Sequence, residues 1–237
     1  MNKKLTNFII IPVVFVLCVL FVAKFSGPSI LKLYITTGIG DCKSIPILCR
    51  WPQVKIEEMA VDRKLISDYI PYTFPKMKVQ LPKKFDVVQE RIKRIYFKRK
   101  HQHQKATIYL LHQNPGFFIG LFPQVTSRQV KDDFEFLNRT MNADINDIKD
   151  IADAFFVIMK SIFIPNLGDQ DKVVMAQFQI EKKRGFLNYN LSEKVNLFDC
   201  NIFDEKGNFY KIYIKDLGAR LDLQKVYAII STVEVSP

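Results

Sequence analysis

The stretch LFDCNIFDEKGNFYKIYI, residues 197–214, gives the clearest structural signal in the chain. It contains two segments rich in β-branched and aromatic residues, separated by the turn-forming sequence from Asp204 to Gly207. Strand-forming segments on both sides of a short glycine-containing turn are typical of a β-hairpin. We therefore expect two antiparallel strands here. Cys200 occupies an inward-facing position of the first strand, which favours a buried free thiol.

Two further strands are predicted immediately before this hairpin, in KVVMAQFQI (172–180) and GFLNYNL (185–191). A helical block precedes them, because apolar residues recur there with a period close to 3.6. Pro165 ends this block, since proline does not continue a helix. The first helix is predicted from Ser127 onward and the second from a separate apolar stripe; their apolar positions are Val130, Phe134, Leu137 and Met141, then Ile148, Ile151, Phe155, Ile158 and Ile162.

Upstream of the helices, residues 78–97 and the run ATIYLLHQNPGFFIGLF (106–122) have the composition of strands. The second run divides at Asn114–Gly116, a strong turn signal. At the other end of the chain, the spacing of Leu223, Val226, Tyr227 and Ile230 predicts a final helix, with Asp222 as its N-cap. The β-branched tail after it would also suit an edge strand.

This order of elements predicts an α+β fold, a mainly antiparallel β-sheet flanked by helices and preceded by one N-terminal transmembrane helix. The arrangement resembles the PsbP-like and LpqN-like domains, which are α/β/α sandwiches of export compartments. The resemblance covers roughly residues 78–235 and implies a non-enzymatic binding or assembly module. It implies no site residue, and the segments that carry it are LPKKFDVV (81–88) as the first strand, FFIGLFPQ (117–124), GNFYKIYIK (207–215) and IIS (229–231).

The N-terminal sequence predicts that the protein is anchored in a membrane. Lys3 and Lys4 are followed by a charge-free apolar run from Phe8 to Ala23, which Lys24 closes. The run would rise about 24 Å as a helix, and a snorkelling Lys24 would extend it toward the roughly 30 Å of a hydrocarbon core. No small-residue pair marks a signal-peptidase site, so an uncleaved anchor ranks above a cleaved signal. A lipoprotein acylated at Cys18 ranks third.

The basic residues at the start indicate the orientation, because they favour the cytoplasmic side of a membrane. We expect a single-pass protein of the bacterial inner membrane, with its N-terminus in the cytoplasm and the rest outside it. Residues 1–27 are interpreted as the signal-anchor transmembrane segment. Residues 28–75 carry five prolines and are interpreted as a connector, and residues 76–237 as the extracytoplasmic domain. Within the connector, Cys42 and Cys49 are expected to form a disulfide in the oxidising compartment.

The positive charge of the chain and its uneven distribution predict an anionic binding partner. The net charge is +11, and residues 76–105 contain eleven Lys or Arg against Asp86 and Glu90. An anionic lipid, an anionic polysaccharide or an acidic protein would suit this segment, whereas nucleic acid does not fit the predicted compartment. The alternative is a solvated hairpin whose charges protect an edge strand from aggregation. The residues predicted to bind an anionic partner are Arg91, Lys93, Arg94, Lys98, Arg99 and Lys100.

No catalytic or metal-binding motif stands out, so a protein without enzymatic activity, metal or cofactor is predicted. His101 and His103 alternate along a predicted strand and His112 lies on the next one, but two or three histidines among many cations do not define a metal site. Acidic residues cluster where the two helices start, as the helix dipole favours. Paired carboxylates could serve an envelope hydrolase, and an accessory subunit of a larger membrane complex is the third alternative. The oligomeric state stays open.

Overall fold

The computed structural model describes residues 27–49, 55–58, 61–74, 76–83, 86–91, 94–101, 104–123, 130–169, 172–218 and 221–235. The chain forms two compact units. The first consists of Met1–Arg50 and Ala143–Ile162, and the second of Trp51–Asn142 and Phe163–Pro237. The main elements are α1 (27–38), β1 (Lys55–Glu58), β2 (Ile70–Phe74), β3 (Met77–Leu81), β4 (Asp86–Arg91), β5 (Arg94–His101), β6 (Gln104–Gln113), α2 (Phe117–Leu121), α3 (Asp133–Asn142), α4 (Ile151–Phe163), β7 (Val174–Ile180), β8 (Lys183–Asn190), β9 (Val195–Phe203), β10 (Phe209–Leu217) and α5 (Leu223–Ser231).

The second unit is built on an eight-stranded sheet with the order β1-β7-β8-β9-β10-β6-β5-β4. Strand β1 pairs with β7 in parallel, and the other neighbours in this sheet are antiparallel. Strands β2 and β3 form a separate antiparallel hairpin. These observations confirm the predicted α+β class with a mainly antiparallel sheet.

The hairpin predicted in residues 197–214 is formed by β9 and β10 at the centre of this sheet. Phe203 pairs with Phe209 at the turn, and Cys200 pairs with Ile212 further along. The carboxylate of Asp204 fixes the turn by accepting hydrogen bonds from the backbone N–H groups of Lys206 and Asn208, both at 2.9 Å. Cys200 is a fully buried free thiol, as predicted.

Helices cover both faces of the sheet within this unit. On one face, α5 contributes Val226, Tyr227, Ile229 and Ile230 to a core shared with alternate residues of β6–β10 and with the hairpin β2–β3. Asp222 caps α5, as predicted, by accepting a hydrogen bond from the backbone N–H of Lys225 at 2.8 Å. On the other face, aromatic rings join α2, α3 and the sheet, with centroid separations of 4.8 Å for Phe118–Phe209 and 5.6 Å for Phe134–Phe203.

The prediction of a strand in FFIGLF is wrong, because this segment forms helix α2. Gly116 precedes it with a φ of 80°, a conformation that favours glycine. The carboxylate of Asp133 then accepts hydrogen bonds from the backbone N–H groups of Phe118 and Ile119, at 2.9 and 3.0 Å. A contact from a residue 14 to 15 positions away thus overrides the local strand propensity.

The buried face of α4 also differs from the prediction. Ile151 and Ile162 belong to the predicted core stripe, yet their side chains are 72% and 66% exposed. The helix instead buries Ala154, Phe156, Val157, Met159 and Lys160. Apolar residues occur on nearly every face of this helix, so periodicity alone did not identify the buried one.

The first unit contains α1 and, after it, the pair Cys42 and Cys49, which lies at disulfide-bonding distance with a Cα–Cα separation of 5.5 Å, as predicted. Leu48 between them is fully buried. In the part of the chain that the structure describes, no helix is long and apolar enough to cross a membrane. The predicted anchor, Phe8–Ala23, lies outside the described residues.

Candidate functional site

The predicted basic residues belong mainly to the hairpin β4–β5, here called the edge hairpin, because β4 is the last strand of the sheet. Arg91 is the final residue of β4, and Arg94 the first of β5. Lys98, Arg99 and Lys100 follow within β5. Lys93 lies outside the described residues. The backbone therefore places five of the six predicted residues on the two outermost strands of this edge.

The backbone register at this edge of the sheet pairs basic residues with one another. Arg91 is paired with Arg94 on β4 and β5, and Lys100 is paired with Lys105 on β5 and β6. Like charges directly opposite each other destabilise an antiparallel pair by a few tenths of a kcal/mol to about 1 kcal/mol.

A cavity of about 650 Å³ lies elsewhere in the same unit. It forms where the turns β7–β8 and β9–β10 meet the starts of α2 and α3. Phe134 and Phe203 contribute aromatic walls, and the Arg184 guanidinium lies over the Phe134 ring at 3.9 Å. Its charged lining is balanced between five cations and five anions, namely Lys131, Lys182, Lys183, Arg184 and Lys206 against Asp132, Asp133, Glu181, Asp204 and Glu205.

Each carboxylate around this cavity has a structural partner. Asp133 caps α2, and Asp204 fixes the β9–β10 turn while accepting a hydrogen bond from the hydroxyl of Tyr210 at 3.2 Å. The other three form ion pairs, so the acidic groups brought together here support the local structure. These pairs are Asp132–Arg184 at 3.5 Å, Glu181–Arg63 at 2.7 Å and Glu205–Lys182 at 3.2 Å.

A buried polar cluster on the sheet was missed by the sequence analysis. Asp199 is fully buried, and its carboxylate accepts hydrogen bonds from the side-chain amides of Asn188 at 3.2 Å and Asn201 at 2.9 Å. The ammonium group of Lys211 lies 2.8 Å from the other carboxylate oxygen and donates to the carbonyl of Phe163 at 3.2 Å. The signal available in the sequence was the alternation of polar residues with large apolar ones in LFDCNIF and NFYKIYI.

The charges within this cluster balance, because the Lys211 ammonium neutralises the Asp199 carboxylate. The two asparagine amides donate to the same oxygen of that carboxylate. Burial raises the pKa of the neighbouring Tyr213, with a smaller contribution from the Asp199 charge. Burial likewise raises the pKa of the Cys200 thiol well above its ordinary value. Since the thiolate is the nucleophilic form, Cys200 is poorly suited to nucleophilic chemistry.

Lys160 is a buried cation in the first unit. Its ammonium group donates hydrogen bonds to the carbonyl oxygens of Ala143, at 2.9 Å, and Cys49, at 3.5 Å. Burial lowers its pKa from 10.5 to about 8, although Asp144 acts in the opposite direction. The charged form is therefore disfavoured in the folded protein relative to the unfolded chain.

This pKa predicts a pH dependence of stability. Below pH 8 both states carry the Lys160 proton, and burial of the charge costs stability in full. Between pH 8 and 10.5 the folded state releases the proton first, so the contribution of Lys160 to stability rises by about 1–3 kcal/mol. Denaturant unfolding at a series of pH values from neutral to about 10 measures this gain as the difference between the wild type and Lys160→Met. Parallel pH profiles of the two proteins would contradict it.

The structure also shows where the described histidines lie. His112 is buried on β6, and its ring packs against Tyr210 with a centroid separation of 5.2 Å. His101 ends β5, and His103 lies outside the described residues. Within the described ranges, no group of three or more His, Cys, Asp or Glu is arranged to hold a metal ion.

Comparison with known proteins adds little to this picture. No protein-family model and no curated protein match the chain. A crystal structure of a protein from Bacteroides thetaiotaomicron VPI-5482 aligns with 72% of this chain and 49% of its own, at 7% sequence identity and a TM-score of 0.33. The chain thus spans about half the length of that solved structure, and a similarity at this level says nothing of function.

Proposed function

We propose that this protein is a non-catalytic, membrane-anchored protein of the bacterial cell envelope that binds or helps assemble an anionic component through its edge hairpin. The observation that carries the proposal is the strand register at this edge of the sheet, in which Arg91 of β4 is opposite Arg94 of β5, and Lys100 of β5 is opposite Lys105 of β6. A sheet edge that keeps two like-charge pairs gives up stability, and binding an anion would recover it.

The proposed location follows from the charge-free run Phe8–Ala23 behind Lys3 and Lys4. A single transmembrane segment in the inner membrane would hold the α+β unit outside the cytoplasm. There the edge hairpin would meet lipid head groups, anionic polysaccharide or an acidic protein. Each Lys or Arg near an anionic surface contributes about 1 kcal/mol, so the six predicted residues together would contribute about 6 kcal/mol to association.

A carboxylate-dependent envelope hydrolase receives less support from the geometry. Hydrolysis of this kind needs two carboxyl groups that converge on a substrate and are available for proton transfer. Around the cavity, Asp132, Glu181 and Glu205 are engaged in ion pairs, and Asp133 and Asp204 accept backbone hydrogen bonds. An accessory subunit of a membrane complex is favoured by a different observation, the exposed apolar side chains of α1 and α4.

Vesicle binding tests the proposal. With the full-length chain held by its anchor in zwitterionic vesicles, replacing the six predicted residues with Gln is expected to weaken its capture of added anionic vesicles and envelope fractions, by on the order of 100-fold or more. The matched control replaces six exposed lysines elsewhere with Gln, which changes the net charge equally. This control should retain most of the binding, and its positions are Lys64, Lys149, Lys172, Lys194, Lys206 and Lys215.

The two variants separate a local site from a general charge effect. An equal loss in both would mean that net charge alone drives association, which contradicts a site at the edge hairpin. Unchanged binding in the hairpin variant would also contradict it. Binding should weaken as salt is raised, because screening acts on exposed charges.

A further inference from the structure

Helix α1 presents an apolar face to solvent. Ile30, Leu33 and Tyr34 lie at i, i+3 and i+4, so they share one side of the helix. Their side chains are 61%, 62% and 79% exposed. Three neighbouring large apolar groups at this exposure form a contiguous surface, in contrast to the single exposed apolar residues that any soluble domain carries.

The rest of the exposed face of α1 is uncharged as well. Its other exposed residues are Ser29, Thr37 and Gly38. The hydroxyl of Thr37 donates to the backbone carbonyl of Leu33 at 2.8 Å, and that of Thr36 to the same carbonyl at 2.9 Å. These hydroxyls are satisfied inside the helix, so placing this face in an apolar medium would leave neither of them without a hydrogen bond.

The most exposed apolar side chains of the described chain all belong to the first unit. Besides the three on α1, they are Ile151 and Ile162 of α4, at 72% and 66%. This is also the unit whose sequence includes the run Phe8–Ala23.

Chain connectivity identifies what would cover α1. Only three residues, Lys24 to Ser26, separate the charge-free apolar run from Gly27, where the described part of α1 begins. Even a fully extended chain would separate Ala23 from Gly27 by at most about 15 Å. If the run occupies the bilayer, α1 starts in or beside the headgroup layer. Tyr34 is a residue type enriched at that depth, and Lys24 is able to snorkel to it.

We infer that the face formed by Ile30, Leu33 and Tyr34 lies against the lipid bilayer, at the boundary between head groups and acyl chains. This inference rests on the proposed membrane anchorage and deepens it, since α1 becomes a second membrane contact beyond the anchor. It also accounts for the uncharged character of the whole exposed face. Amphipathic helices at this boundary bury their apolar side about 5–10 Å deep.

Quenching of a tryptophan by brominated lipid tests the contact. The chain has one tryptophan, Trp51, so Trp51→Phe removes the background signal. In this background, Tyr34→Trp places a reporter on the α1 face, here called the α1 reporter. Leu191→Trp places a control reporter at a 44% exposed position of the second unit.

Both full-length variants are reconstituted into zwitterionic phosphatidylcholine vesicles with brominated acyl chains. We expect the bromine to quench the fluorescence of the α1 reporter by roughly half or more, because the face would lie within reach of the acyl chains. The control reporter should be quenched little, since its position is assigned no contact with the bilayer.

The outcomes separate this inference from the function on which it rests. Flotation reports attachment of the chain to the vesicles wherever the α1 face lies, and uncharged lipid excludes any contribution from the basic edge hairpin. Flotation without selective quenching of the α1 reporter would overturn the bilayer contact while leaving the anchor intact. A blue-shifted α1 reporter that bromine does not quench would assign this face to a second copy or another protein, and would equally overturn it. Failure to float would remove the anchorage itself.

Discussion

Replacing Lys211 with methionine is expected to destabilise the folded protein by about 3–5 kcal/mol. The substitution would leave the Asp199 carboxylate fully buried without the ammonium group that now lies 2.8 Å away. The amides of Asn188 and Asn201 would still donate to that carboxylate, but neither carries a charge. Urea unfolding monitored by circular dichroism measures this loss of stability.

A double variant tests whether the cost comes from the uncompensated charge. Asp199→Asn with Lys211→Met removes both charges and retains a side-chain oxygen as an acceptor for the two amides. Its cost should fall clearly below the sum of the two single variants, because neither single charge remains buried alone. Lys182→Met is the matched control, since it breaks the exposed pair with Glu205 and should cost less than about 1 kcal/mol. Equal costs for Lys211→Met and Lys182→Met would contradict the account of the cluster.

Replacing Gly185 with alanine is expected to cost about 3 kcal/mol or more, the upper range for overpacking. Gly185 lies in β8 opposite Ile202. A Cβ added there would clash with the backbone oxygen of Asn201 and would lie 2.9 Å from the ring of Phe178. The carbonyl belongs to the central strand β9, so relief of the clash would require a shift of the sheet backbone.

Gly120→Ala is the matched control for this prediction. Gly120 lies in helix α2, and an added Cβ would meet no atom within 4 Å. Alanine has the higher helix propensity, so this variant should be neutral or more stable by about 0.5–1 kcal/mol. Thermal unfolding of both variants gives the comparison. A Gly185→Ala protein as stable as Gly120→Ala would show that the close packing of β8 on β9 is wrong.

The central strands and caps could be predicted because their causes are local. The turn at Asp204–Gly207 and the N-cap at Asp222 depend on hydrogen bonds between residues two to four positions apart. The inward position of Cys200 depends only on the alternation of side chains along a strand. The pair Cys42–Cys49 is separated by seven positions. Such features are specified within a short window of sequence.

The features that sequence reasoning missed depend on distant parts of the chain. Helix α2 forms where strand propensity is high because Asp133 caps it from another helix. Helix α4 is apolar on nearly every side, so its buried face is set by the tertiary structure. The cluster around Asp199 requires the register of three strands, which brings Asn188, Lys211 and Asn201 next to one another.

For the candidate site, the sequence identified the basic residues through their local density, while their arrangement needed the sheet. That Arg91 is opposite Arg94 and Lys100 opposite Lys105 follows from the pairing of β4, β5 and β6. The edge position of this hairpin follows from the strand order. Composition therefore supplied the residues, and topology placed them along one edge of the sheet.

Site-directed photocrosslinking in native membranes tests the proposed function most directly. A photoreactive phenylalanine analogue replaces Tyr96, the third residue of β5, and in a parallel protein it replaces the exposed Leu65. We expect position 96 to form an adduct with an anionic envelope component, high salt to abolish this adduct, and position 65 not to form it. Adducts of the same kind and amount at both positions, or adducts at position 96 that are unaffected by salt, would contradict the account.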